Sequence, residues 1–215
     1  MKNTQRLNLN IKNLRLLQII ASANFAMPII VLYNLNHGLS LFQIASFATV
    51  MSIIVLLLEI PSGSFADKKG RKISLLISSL FSVAAYFFLF FGDSYIPFLL
   101  VAAFSGAANA FWSGANTALL YDSLVELKRE NEFKKIKGKQ FAYGMWSFAI
   151  ASLIGGFLGG IHLIIPIAIT GIMKAFQLLF SLKLKDPELH KKILKGGGHI
   201  LESIKFALKH EEVRN

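Results

Sequence analysis

The stretch Val55-Leu56-Leu57-Leu58-Glu59-Ile60-Pro61-Ser62-Gly63-Ser64-Phe65-Ala66-Asp67-Lys68-Lys69-Gly70-Arg71-Lys72 decides the fold class. Twelve residues with a single charge run into six residues that carry five, and an apolar run resumes at Ile73. Charge is packed into a short turn and nearly excluded from the segments on either side. The same partition recurs along the whole chain. Six apolar runs can be drawn: Leu14–Leu35, Leu41–Ala66, Ile73–Phe91, Tyr95–Tyr121, Phe141–Gly160 and Leu163–Leu182. Each approaches or exceeds the ~20 residues that a helix needs to cross a hydrocarbon core roughly 30 Å thick. An open strand cannot satisfy its backbone in lipid, so the runs are predicted to be helices.

Composition agrees. Hydrophobic residues make up 54% of the 215 residues and charged residues only 16%, against about 25% in soluble domains. Mean hydropathy is +0.54. There is no cysteine, which excludes disulfides and thiolate metal sites. The net charge of +11 is carried by turns and tails rather than by a surface laid out to read bases or grooves, so no nucleic-acid partner is expected. No phosphate-binding loop, zinc-type histidine pair or nucleophile elbow occurs. The chain is read as a non-enzyme with no cofactor and no metal.

The basic residues also give an orientation. All of the Lys and Arg except Lys174 fall before the first run or, as Arg15, at its leading edge, in the second and fourth connections, or after the sixth run. The connections around His37, Asp93 and His162 hold none. By the positive-inside rule both termini are expected in the cytoplasm, as a multi-pass protein of the cell membrane. Three regions are expected: a cytoplasmic segment over 1–13, a six-helix bundle over 14–182, and a cytoplasmic linker over 183–215. In the linker, Leu201, Ile204 and Leu208 recur at helical spacing and predict an amphipathic helix over His199–Lys209. Ser40 and Gln43 are spaced as a capping box, and Gly70 stands where a tight turn needs positive φ.

The stretch Gly63 to Lys72 resembles the cytoplasmic signature loop of the major facilitator superfamily, with Gly63, Asp67, Gly70, Arg71 and Lys72 on its positions. The preceding Glu59-Ile60-Pro61-Ser62-Gly63 looks like one prokaryotic branch of that superfamily. Ser113-Gly114 with Ala118–Leu124 resembles the end of that branch's fourth helix, and Gly38–Gln43 its first outer turn. The resemblance implies half of a secondary transporter's fold: six helices as a 3+3 inverted repeat, the amino-terminal bundle of two. It implies transport of a small solute by alternating access. It also implies that the signature loop helps latch the two bundles together, so the missing carboxy-terminal bundle or a second copy of the chain is an expected partner beside the bilayer and the solute.

In that superfamily the first and fourth helices line the central cavity. The polar stripe Ser105, Asn109, Trp112, Ser113 and Asn116 shares one face of the fourth helix. Asn109, Trp112 and Asn116, with Asn24 on the first helix and Tyr143 and Ser147 on the fifth, are therefore the candidates to touch solute. Glu59 reads as a buried acid and is the candidate coupling group, set against a structural pairing. Pro61 is expected to kink the second helix. Lys174 is read first as snorkelling or buried in a pair, and second as countering an anion in the cavity. Gly155-Gly156-Phe157-Leu158-Gly159-Gly160 holds two overlapping small-residue pairs suited to close helix contact. It resembles the glycine-rich fifth-helix motif of drug:proton antiporters, with Gly156 where that motif has proline, and this is the basis for expecting proton-coupled efflux. The competing readings are a truncated fragment without transport activity, a six-helix membrane scaffold, and a homodimeric half-transporter.

Overall fold

The computed structural model describes residues 2–187, with side chains from Leu7 onward. The expected amphipathic helix over 199–209 lies outside the described residues. Those described form seven α-helices: α1 (Lys2–Ser22), α2 (Ile30–Asn36), α3 (Leu41–Lys69), α4 (Arg71–Phe91), α5 (Tyr95–Glu126), α6 (Phe133–Ile161) and α7 (Ile164–Leu182). Six segments are long and apolar enough to cross a membrane. The first of them, Leu7–Asn36, combines α1 and α2. The fold class is thus all-α with six membrane-capable helices.

Local chemistry sets the element ends. Ser40 Oγ accepts the Gln43 N–H while Gln43 Oε1 accepts the Ser40 N–H, so the expected capping box opens α3. Gly70 turns the chain between α3 and α4 at φ 112°, a conformation that side chains disfavour. α3 runs through Pro61 without interruption. Between α5 and α6, Arg129 Nε and Nη2 donate to the Glu132 carboxylate at 2.7 and 2.8 Å. That hydrogen bond raises the Arg129 pKa above its ordinary value.

The helices differ from expectation chiefly at the start of the chain. Residues assigned to a cytoplasmic segment are already helical from Lys2, and Leu7, Asn10 and Ile11 are buried. α1 therefore begins well before the apolar run, and its turns from Leu7 to Ile11 are buried against the bundle.

α5 packs between α3 and α4, α4 packs on α7, and α1 lies against α6 and α7. Apolar burial does not drive helices together in lipid, so close packing and hydrogen bonds must. Small side chains (Ala102, Ala107, Ala108 and Ala110) let α5 approach its neighbours. Serines then reach the α5 backbone: Ser62 Oγ to Ala110, Ser74 Oγ to Phe111 and Ser78 Oγ to Ala108, at 2.8–2.9 Å. Large apolar side chains such as Leu56, Ile60, Leu153 and Phe157 point outward. Inside there are two apolar clusters. One, around Leu14, Leu75, Leu119, Leu120 and Leu124, lies toward the lysine-rich end. The other, around Ile29, Tyr33, Leu89, Phe98 and Ile167, lies toward the opposite end. The polar interior falls between them.

Candidate functional site

The first span is broken at its middle. α1 stops at Ser22, and helical structure resumes as a single 3-10 turn over Met27–Ile29 before α2. Pro28 has no N–H to continue an α-helical ladder. Asn24 Oδ1 instead accepts the Met27 N–H at 3.1 Å, a local bond that competes with helix. A break inside a membrane leaves backbone groups that must find partners within the protein. The Phe25 and Ala26 N–H groups both donate to Thr170 Oγ1, at 3.0 and 3.1 Å, and that hydroxyl donates to the Pro166 carbonyl. One hydroxyl thus uses its full capacity of two acceptor sites and one donor. The Ala21 carbonyl accepts from Lys174 Nζ at 2.6 Å, and the Ile19 carbonyl from Ser147 Oγ at 2.7 Å. Tyr86 Oη donates to Asn24 Oδ1.

α6 closes over the break. A Cβ at Gly155 would overlap the Phe25 carbonyl oxygen, and one at Gly159 would lie 2.5 Å from Ile29 Cγ2. The other pair in the same run, Gly156 and Gly160, has nothing within 4 Å. Of the two overlapping glycine pairs, one therefore packs inside this bundle and the other faces outward.

A cavity of about 610 Å³ opens at the break, with walls from the first span, α3, α4, α5 and α7. Asn24, Asn109 and Trp112 line it together with Ser105. Asn116 does not. It is buried, donating to Gln18 Oε1 and accepting from Gln140 Nε2, both at 3.0 Å. Tyr143 and Ser147 do not line it either. Tyr143 lies under the Arg15 guanidinium, 5.6 Å from ring centre to carbon, and Ser147 is spent on the Ile19 carbonyl. A smaller cleft of about 280 Å³ shares Gln18, Ser22 and Asn24 and runs along Gly144, Met145 and Phe148 of α6.

Several wall residues were not among the expected ones: Gln18, Asn34, Ser78, Ser82, Tyr86 and Gln177. Lys174 also lines the cavity, which corrects the snorkelling reading: its ammonium turns inward to a backbone carbonyl. The available signal was spacing, because Thr170, Lys174 and Gln177 repeat at i+4 and i+3 on an otherwise apolar helix.

Glu59, read from the sequence as buried, stands on the open side of α3. It is exposed and lines neither cavity, because α3 buries only Ser62 and Ala66. Gly63 likewise has nothing within 4 Å of the place a Cβ would take, so no helix of this bundle approaches it there.

At the lysine-rich end the signature residues form one cluster. Arg71 Nη1 meets Asp67 Oδ1 at 2.5 Å, and Arg71 Nε meets Asp122 Oδ2 at 3.4 Å. Asp186, from beyond α7, accepts the Lys72 N–H at 2.8 Å and so satisfies a free donor at the start of α4. Its carboxylate lies where a Gly70 side chain would be, 2.5 Å from that Cβ position. Asn10 exchanges two hydrogen bonds with the Lys185 backbone, and Leu184 is fully buried. Leu184, Lys185 and Asp186 are thereby tied to the end of the bundle. Among the described residues, no group of three or more His, Asp or Glu is placed to hold a metal ion.

The described residues thus form a bundle of six membrane-capable segments, with a cavity at a break in the first and a paired Asp–Arg turn at the charged end. The chain belongs to the Major Facilitator Superfamily, whose model it matches over residues 16–212. It is also similar to an uncharacterized MFS-type transporter, YxaM, of Bacillus subtilis (strain 168), at 29% identity over 162 residues. That match covers 71% of this chain and 37% of the relative, so the chain spans well under half the length of the relative. It is a multi-pass membrane protein of a transporter family, and members of that family are in general not enzymes.

Proposed function

We propose that the chain supplies the amino-terminal six-helix bundle of a secondary transporter that moves a small solute by alternating access. The observation that carries this reading is the cavity of about 610 Å³ at the interrupted first span. Transporters place solute sites near the bilayer midplane beside broken helices, where freed backbone groups and buried polar side chains can change partners. In this reading Asn24, Asn109 and Trp112 touch the solute, and Asn116, Tyr143 and Ser147 hold the helices that present them. Asp67, Gly70, Arg71 and Lys72 form one side of a latch to a second bundle. Gly63 and Glu59, both on the open face of α3, meet that bundle. Residues 1–13 and 183–215 belong to the cytoplasmic end of the bundle at the cell membrane, and the resemblance of the run Glu59–Gly63 supports its prokaryotic branch.

The test is flux. Vesicles holding this chain, alone or together with any polypeptide encoded downstream of Asn215, are loaded with a panel of radiolabelled small solutes. Flux is then measured with and without a proton gradient. The expected result is solute movement that requires both bundles and responds to the gradient, in keeping with proton-coupled efflux. Flux from the chain alone would instead favour the homodimeric half-transporter. No flux in either arrangement would leave the scaffold or fragment readings standing.

A further inference from the structure

We propose that the cavity selects anionic solutes, with the Lys174 ammonium as the group that binds the negative charge. This rests on the cavity being the solute site. Among the described residues, Lys174 is the one charged group on its wall, and no Asp or Glu lines it. An ion within a membrane-embedded bundle is costly unless it is paired or used, and here its hydrogen-bond partner is a neutral carbonyl, that of Ala21. An ammonium has three N–H donors and no acceptor. Ala21 accepts from one of them and the Tyr86 ring centre stands 6.0 Å from the nitrogen, which leaves donors and charge for an anion that joins the site.

The neighbouring wall adds a second requirement. Gln177 Oε1, one turn from Lys174, and Asn34 Oδ1 are buried with no hydrogen-bond donor among the described residues. Both residues line the cavity. Gln177, next to Lys174 on α7, is suited to accept from an N–H or O–H on the same solute. The rest of the wall is largely apolar or aromatic, including Phe47, Phe98 and Trp112. The solute class that matches all three features is a small amphiphilic carboxylate carrying a hydrogen-bond donor. A cationic solute would meet the Lys174 charge with nothing on this wall to offset it.

Trp112 makes the test direct. The chain has two tryptophans, and Trp146 is exposed on α6. In a Trp146→Phe background, in lipid nanodiscs, energy transfer from Trp112 reports binding of dansylglycine, an anion with a sulfonamide N–H, and of its neutral amide, dansylglycinamide. The expected result is saturable binding of the anion at least about tenfold tighter than the amide, roughly the strength of one charge-assisted hydrogen bond. Lys174→Gln should abolish that preference and leave the amide unaffected, whereas Lys174→Arg should keep it, which a merely structural role would not predict. Equal binding of the two probes to the protein that retains Lys174 overturns the proposal and leaves the cavity reading intact. So does a preference that survives Lys174→Gln. If Lys174→Gln does not fold, the comparison of the two probes on the protein with Lys174 and on the Lys174→Arg variant decides alone. Absence of transfer with either probe overturns the cavity reading itself, and the charge selection with it.

Discussion

Gly155→Ala is expected to lower stability by about 3 kcal/mol, the upper end of typical core overpacking. The added methyl overlaps the Phe25 carbonyl, a backbone atom that cannot rotate away as a side chain could. α6 and the break must move apart, and Gly159, which packs on Ile29 in the same seam, moves with them. Gly156→Ala is the control. It lies next in sequence, but nothing stands within 4 Å of its Cβ position. It should unfold within about 1 kcal/mol of the unaltered chain, on the stable side, because alanine is the better helix former. The midpoint of thermal or SDS-induced unfolding in matched detergent reads both. Similar midpoints for the two variants would show that the seam is not packed as described.

Thr170→Val should be comparably harmful without changing shape. It removes the hydroxyl that accepts from both Phe25 and Ala26. Each buried N–H left without an acceptor costs about 1–3 kcal/mol, so the pair should cost roughly 2–6 kcal/mol. Thr170→Ser retains the hydroxyl and should recover most of that loss. Water admitted by the neighbouring cavity would reduce the penalty, so a valine variant within about 0.5 kcal/mol of the unaltered chain, below the net worth of a single hydrogen bond, would mean that the break is solvated rather than held by α7.

These two residues also show what was legible in the sequence. The number of spans could be read because the bilayer forces charge into the turns, but their starts could not: α6 begins at Phe133, inside the lysine-rich connection. The Gly63–Lys72 loop carried the family because its Asp, Gly and Arg each have a local job, and Asp67 does pair with Arg71. The break in the first span was not legible. Ala23-Asn24-Phe25-Ala26 continues an apolar run, and only Asn24 and Pro28 hint at interruption. What makes the break tolerable is Thr170, 145 residues away from Phe25.

Rotation about a helix axis was the second hidden quantity. Hydropathy places Glu59 at a depth but not on a side, and its side turned out to be open. The polar stripe of α5 fared unevenly for a related reason. Asn109 and Trp112 reach the cavity, whereas Asn116, farther along the same face, meets Gln18 and Gln140 first. Lys174 was visible as the lone basic residue in a span, but its direction depended on a carbonyl freed by a break that could not be foreseen.

The central claim is that the bundle encloses a water-accessible cavity at the level of the break. The absence of cysteine makes single-cysteine variants clean reporters. Asn109→Cys, on the cavity wall, is compared with Leu153→Cys, on the outward apolar face of α6, and with Lys135→Cys, exposed in the basic first turn of α6. Membrane vesicles bearing each variant are treated with the impermeant anionic reagent methanethiosulfonate ethylsulfonate, and the modification rate is measured. The account predicts that the Asn109→Cys thiol reacts at a rate approaching that of Lys135→Cys, while the Leu153→Cys thiol stays inert in lipid. An Asn109→Cys variant as unreactive as Leu153→Cys would contradict it.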